Sequence, residues 1–138
     1  MFEGINTSGS ALNAAKQWME VSSNNIANAD SSAAPGETPF LRKRVVMSEI
    51  SPFETALTGT KGVKVSEISS DTGSVNVKRV YDPTHPNANE AGYVNYANVD
   101  MTAEMTNLMV GQKMYAANTS ALQANEKMME KDLEIGKV

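Results

Sequence analysis

The chain has 138 residues, 41% of them hydrophobic, with no cysteine and a net charge of −4. A chain of that length and apolar content is expected to fold as about one domain, and the missing thiols exclude disulfides, thiolate chemistry and cysteine metal sites. Its one short basic run, Arg42-Lys43-Arg44, does not supply the concentrated positive charge of a nucleic-acid binder, so no nucleic acid is expected as a partner.

Met1-Phe2-Glu3-Gly4 has neither the basic stretch nor the apolar run of a cleaved secretory signal. No segment approaches the roughly 18 apolar residues of a membrane span, so a soluble protein without direct membrane insertion is expected. All five prolines lie between positions 35 and 86. Proline interrupts helices, so the chain divides into a helical head (1–30), a middle (31–98) and a helical tail (99–138).

In the head, Ile5, Leu12, Met19 and Ile26 recur every seven residues, with small companions at Ser8, Ala15, Ser22 and Ala29. Heptad spacing keeps one face in register along a helix, and small companions let a second helix come close. Thr7 or Ser8 is a suitable cap for the start, and Asn24-Asn25 with Asn28-Ala29-Asp30 reads as the end. Asparagine is a poor interior helix former, so the run from Ser22 to Asn28 reads first as a solvated helix end. The alternative is that these amides hydrogen-bond across subunits or to the turn that leaves the helix.

The middle reads as short strands. Residues 40–50 are rich in β-formers, Val63, Val65 and Ser66-Glu67-Ile68 alternate imperfectly, and Val75, Val77 and Val80-Tyr81 follow. Gly59, Gly62, Gly73 and Gly92 punctuate these pieces, which predicts a small antiparallel β-rich domain. The single histidine, His85, sits in Asp82-Pro83-Thr84-His85-Pro86 and reads as a turn residue. A metal or base site needs convergent groups, which one histidine without cysteine does not offer.

The tail repeats the head's pattern. Met101, Leu108, Tyr115, Leu122 and Met129 form an unbroken seven-residue series, flanked by Met105, Met114, Ala121, Met128 and Leu133. Asp100 is a suitable N-cap, Glu104 favours the positive end of the helix dipole, and Gly136 is a suitable stop. One helix over about 100–135 is predicted, with a tolerated weak point at Gly111. Glu126, Glu130 and Glu134 share a face beside Lys127 and Lys131, a solvated or inter-subunit surface rather than an acid–base pair. Six of the nine methionines lie in this helix. Unbranched thioethers fill cores, and they also suit a surface that must fit non-identical neighbours.

The expected fold is α+β, with long N- and C-terminal helices forming a coiled-coil-like pair and a small antiparallel β-rich domain between them. Against the head helix alone, the balance between burying the tail's large side chains and the entropy of ordering its length is marginal. Further copies are expected to complete its packing. No phosphate loop, nucleophile elbow or triad pattern is present, so catalytic residues, cofactors and metals are not expected. The protein reads as structural rather than as an enzyme.

Ser23-Asn24-Asn25-Ile26-Ala27-Asn28-Ala29-Asp30 resembles the N-terminal signature of bacterial flagellar rod and hook proteins. A second block runs Tyr81-Asp82-Pro83-Thr84-His85-Pro86-Asn87-Ala88-Asn89, then Gly92-Tyr93-Val94, Asn98-Val99-Asp100 and Glu104-Met105. This block is similar to the proximal-rod members of that axial family. Pro39-Phe40-Leu41-Arg42-Lys43, Tyr115-Ala116-Ala117-Asn118 and Leu133-Glu134-Ile135-Gly136-Lys137 fit the same family, so the resemblance runs in order over nearly the whole chain. It departs at Ala97, where the family usually has proline, and at Gln112-Lys113, in place of Ser-Arg.

The resemblance implies a structural subunit of the proximal rod, the drive shaft of the flagellar basal body. Such a subunit polymerises through its terminal helices to transmit torque and enclose the export channel, with the β-rich middle as an outer domain. The assembly residues would be Ile5, Leu12, Met19, Asn24, Asn25, Ile26 and Asn28 in the head. In the tail they would be Met101, Met105, Leu108, Tyr115, Asn118, Leu122, Met129 and Leu133. The implied partners are other flagellar rod proteins, the rod–base adaptor protein and copies of the chain itself. The flagellar type III export apparatus would deliver it, without a cleaved signal peptide, to the rod in the periplasm and cell envelope. One alternative is another axial subunit of rod or hook type, against which the short middle argues. The other is a coiled-coil adaptor or chaperone of a type III secretion system, which would be ordered alone as a dimer.

Overall fold

The structure is a computed structural model and describes residues 2–50, 61–72 and 77–136. The expectations placed on Gly59, Gly73, Val75 and Lys137 lie outside the described residues. In chain order the elements are α1 (Phe2–Ala27), β1 (Ser32–Ala33), β2 (Lys43–Glu49), β3 (Val63–Ser70), β4 (Val77–Tyr81), β5 (Tyr93–Ala97) and α2 (Met101–Ile135). Two long terminal helices enclose a small antiparallel β region, the α+β arrangement that the heptads and the proline distribution predict.

α1 starts at Phe2, well before Thr7 or Ser8. The Thr7 hydroxyl donates to the Glu3 carbonyl at 2.8 Å, the back-bond of a threonine inside a helix, and Ser8 is buried. Neither residue is therefore a cap. At the other end, the Asn28 amide side chain donates to the Asn24 carbonyl at 2.8 Å and closes the last turn.

α2 is 35 residues long, about 52 Å at the helical rise. Its start follows the expected cap: one Asp100 carboxylate oxygen accepts from the N–H groups of Thr102 and Ala103 at 2.9 and 3.2 Å. Its end does not draw on glycine's special freedom. Gly136 keeps a right-handed conformation (φ −75°), and its N–H donates to the Asp132 carbonyl at 3.1 Å.

The helices run antiparallel, with Gly4 beside Asn125, Ala15 and Met19 beside Gly111, and Asn25 bonded to Glu104. The core is made mostly of small residues, with Ala14, Ala15, Val21, Ala29, Ala33, Val94 and Ala97 among its buried apolar side chains. Ser8 and Ser22 are buried with them. Such residues bring helix backbones close, and the contact is made by fit rather than by bulk.

The β region is two separate sheets. β2 and β3 pair from Lys43 opposite Ser70 to Glu49 opposite Val63. A bulge leaves Ser66 with no residue opposite it in the ladder, between Glu67, opposite Val46, and Val65, opposite Met47. That extra residue is why the alternation slips between Val65 and Ile68 in the sequence. The second sheet has the order β1-β5-β4, with Ser32 opposite Tyr96 and with β4 and β5 paired from Val77–Ala97 to Tyr81–Tyr93. A strap, residues 28–42, carries β1 to the edge of β5 and then returns the chain to α1 at Lys43.

The β4–β5 turn is held by its own side chains. Asp82 Oδ1 accepts from the Thr84 hydroxyl at 2.7 Å and the Thr84 N–H at 3.1 Å, and Asn89 Oδ1 accepts from the Ala91 and Tyr93 N–H groups. His85 is a turn residue: its Nδ1 accepts the Asn87 N–H at 3.1 Å, and its ring meets Tyr96 edge-on. Gly92 has φ +79°, and a Cβ there would lie 2.8 Å from Tyr81 Cε2, so the hairpin requires glycine.

Candidate assembly site

Along the helix pair, the heptad residues and their small companions divide the work. Ile5, Leu12, Met19 and Ile26 are half-buried, whereas the small companions Ser8, Ala15, Ser22 and Ala29 are buried, Ala15 completely. The small side chains mark the line of closest approach, and the large ones flank it. Gly111 answers them from α2. A Cβ at Gly111 would lie 2.7 Å from Met19 Cγ, so glycine is needed for the approach and is not simply tolerated.

At one end of this seam lies a buried polar cluster. Glu104 is 1% exposed, on the same side of α2 as Leu108 and Gly111. Its Oε1 accepts from Arg42 Nε at 2.7 Å and lies 2.6 Å from Arg42 Nη2. Its Oε2 accepts from Asn25 Nδ2 at 3.2 Å. Asn25, also 1% exposed, pairs with the backbone of Lys43 in both directions, donating to its carbonyl at 2.8 Å and accepting from its N–H at 2.9 Å. Three distant segments thus meet at one carboxylate. Among the described residues no buried side-chain polar atom lacks a partner. Because a buried charge left uncompensated is costly, removing Arg42 is expected to destabilise the fold by about 3 kcal/mol.

The solvated-end reading therefore holds for Asn24, which is exposed, and fails for Asn25. The amide of Asn25 serves the turn that leaves the helix. Its partners lie 18 and 79 residues away, so no local pattern reveals them. Glu104 has a signal in hindsight. It stands four residues before Leu108 and seven before Gly111, a seam position, where a carboxylate needs a cation, and Arg42 lies in the chain's one basic run.

One flank of α2, beside the seam, is apolar and bare. Met101, Met105 and Met109, spaced i, i+4, i+8, are exposed, with Met105 at 47% and Met109 at 55%. Met101 and Met105 stand seven and three residues before Leu108 and so adjoin it on the helix surface. Leu108, Met19 and Ala27 line an open groove of about 600 Å³ between the helices, with Lys16 and Glu20 at its edge. Tyr115, Met128, Leu133 and Ile135 are exposed further along. Leu108, Asn118, Leu122 and Met129 are half-buried, Asn118 with its amide on the Met114 carbonyl at 2.8 Å. The core-filling reading of the methionines thus does not describe Met101, Met105, Met109 or Met128.

Among the described residues no three His, Asp or Glu side chains converge as a metal site, and no described helix is long and apolar enough to cross a membrane. What is built here is a packed helix pair with an uncovered apolar flank, a geometry for association.

Comparison with known proteins falls on this same pair. The family model described as flagella basal body rod protein matches residues 5–32, and the one described as flagellar basal body rod FlgEFG protein C-terminal matches residues 90–135. The helix pair is that of the flagellar rod proteins, structural subunits that assemble with one another and with themselves in the basal body. Flagellar basal-body rod protein FlgC of Bacillus subtilis (strain 168) is 41% identical, over 99% of this chain and 98% of its own length. FlgC of Escherichia coli O6:H1 is 39% identical and that of Salmonella typhimurium (strain LT2) 37%, each over 93% of this chain and 92% of its own. The chain belongs to the FlgC family of flagellar basal-body rod proteins.

Proposed function

We propose that this rod subunit sits in the proximal rod and polymerises through the outward faces of its terminal helices, which transmit torque and enclose the export channel. The observation that carries this reading is the methionine stripe Met101-Met105-Met109, exposed beside an open apolar groove. A neighbouring helix that covers both removes apolar surface from water, and thioether side chains adapt to neighbours of different sequence. Residues 1–30 and 99–138 form the inner assembly region and 31–98 the outer one.

On this reading Ile5, Leu12, Met19, Ile26, Leu108, Leu122 and Met129 hold the pair, while Met101, Met105, Tyr115 and Leu133 face neighbours. Those neighbours are other rod proteins, the rod–base adaptor and further copies of the chain. The type III export apparatus delivers the subunit to the periplasmic rod.

Met105→Asp tests the proposal more cleanly than a seam substitution, because Met105 lies outside the intramolecular contact. The variant is expected to keep the wild-type circular dichroism of the chain at high dilution and to lose rod assembly and swimming. Normal swimming by this variant refutes the assembly role of the stripe.

A further inference from the structure

Glu104 is the one buried charged side chain among the described residues, and pairing of the helices alone does not require a charge there. Its partners explain it. The β2–β3 hairpin lies along α1: at one end Lys43 is held by Asn25, and at the other the Val63 N–H donates to Ser10 Oγ at 3.1 Å. From Ser10 to Asn25 the helix rises about 22 Å, and from Lys43 to Glu49 β2 extends about 20 Å, so the two segments match in length. Gly62, with φ +149°, brings the chain against Ser10 where any Cβ would collide with its hydroxyl. Toward α2 the hairpin is tied through the residue that precedes it, Arg42, and through Glu104.

A two-stranded hairpin is marginal on its own, so this one depends on its docking. The docking presupposes the helix pair. Without α2, Arg42 has no buried carboxylate to hold it and Asn25 loses one of its bonds; without the hairpin segment, Glu104 is a buried charge lacking its cation. By contrast, the β4–β5 hairpin is fastened by its own turn and by the Tyr81–Tyr93 edge contact at 5.3 Å.

We propose that the Arg42–Glu104–Asn25 cluster is a latch that makes seating of the β2–β3 hairpin conditional on closure of the helix pair. The closed helix pair and the seated hairpin stabilise one another, and only on the closed pair does the hairpin hold Val46 and Ile68, both exposed, in fixed places on the outside of the subunit. The dependence is written into one carboxylate of α2 that takes its partners from α1 and from the residue that leads into the hairpin. This inference concerns the fold of the subunit and stands whether or not the methionine stripe is its assembly surface.

The experiment is hydrogen exchange by the full-length chain along a urea series. In the wild type, the ladder amides of 43–49 and 63–70 are expected to lose protection at the same urea concentration as α1 and α2. Hairpin amides that stay protected after the helices have opened overturn the proposal. In Arg42→Gln, exchange of the hairpin amides in the absence of urea is expected to quicken by about tenfold or more, while that of the β4–β5 amides is unchanged. Hairpin exchange at the wild-type rate in this variant also overturns it.

Discussion

Two glycines in the terminal helices make opposite forecasts for the same substitution. Gly→Ala within a helix gains about 0.5–1 kcal/mol from backbone entropy alone. At Gly9 an added Cβ meets nothing within 4 Å, so Gly9→Ala is expected to stabilise by that amount. At Gly111 the Cβ lies 2.7 Å from Met19 Cγ and 3.8 Å from the Ala15 carbonyl. Met19 Cγ is near the root of its side chain, so relief requires a new χ1 rotamer or a wider helix separation. Overpacking of this kind costs about 1–3 kcal/mol, which leaves Gly111→Ala about 1 kcal/mol less stable than wild type and about 2 kcal/mol below Gly9→Ala. The assay is urea unfolding of the full chain by far-ultraviolet circular dichroism, at a concentration where the helix signal has reached its plateau. If Gly111→Ala stabilises as Gly9→Ala does, the close approach of α1 and α2 at this point is refuted.

Gly92→Ala must strain a φ of +79° and crowd Tyr81, so it is expected to cost about 1–3 kcal/mol, read as faster exchange of the β4–β5 amides; unchanged exchange contradicts the turn geometry. The Asp82 carboxyl is held below its ordinary value of 3.8, first by the Thr84 hydroxyl and then by the Thr84 N–H. Its folded value being depressed, the stabilisation by the turn is complete above that ordinary value and fades as the pH falls through the lowered one. The Thr84 amide resonance is therefore expected to titrate with a midpoint below 3.8, and a midpoint at or above it contradicts the hydrogen bonds. Helix content of the isolated chain is expected to rise with concentration; a stable, fully helical dimer at high dilution argues for the adaptor alternative.

The long-period features of the fold were legible in the sequence. The heptads of Ile5 and Met101 mark the two helices, and the small companions Ser8, Ala15 and Ser22 foretell how closely those helices lie. Asp100 announced the start of α2 because capping is a local interaction. Features that depend on distant partners were not legible. Asn25 and Glu104 are 79 residues apart, and Arg42 and Glu104 are 62 apart, so nothing local distinguishes a buried asparagine from a solvated one. Gly111 looked like a defect because its reason is Met19 on the other helix. β1, at two residues, is too short for any alternation to register. Of the candidate assembly residues, periodicity alone did not separate Leu108 and Leu122, in the seam, from Met101, Met105 and Tyr115, outside it.

The central claim is that the paired terminal helices are the assembly element of a rod subunit, with the methionine flank turned toward neighbours. A high-resolution image of intact basal bodies containing this chain tests it most directly. The expected density places α1 and α2 around the channel, Met101, Met105 and Met109 against adjoining subunits, and the two hairpins outward. A rod in which that stripe faces solvent, or in which the hairpins line the channel, contradicts it.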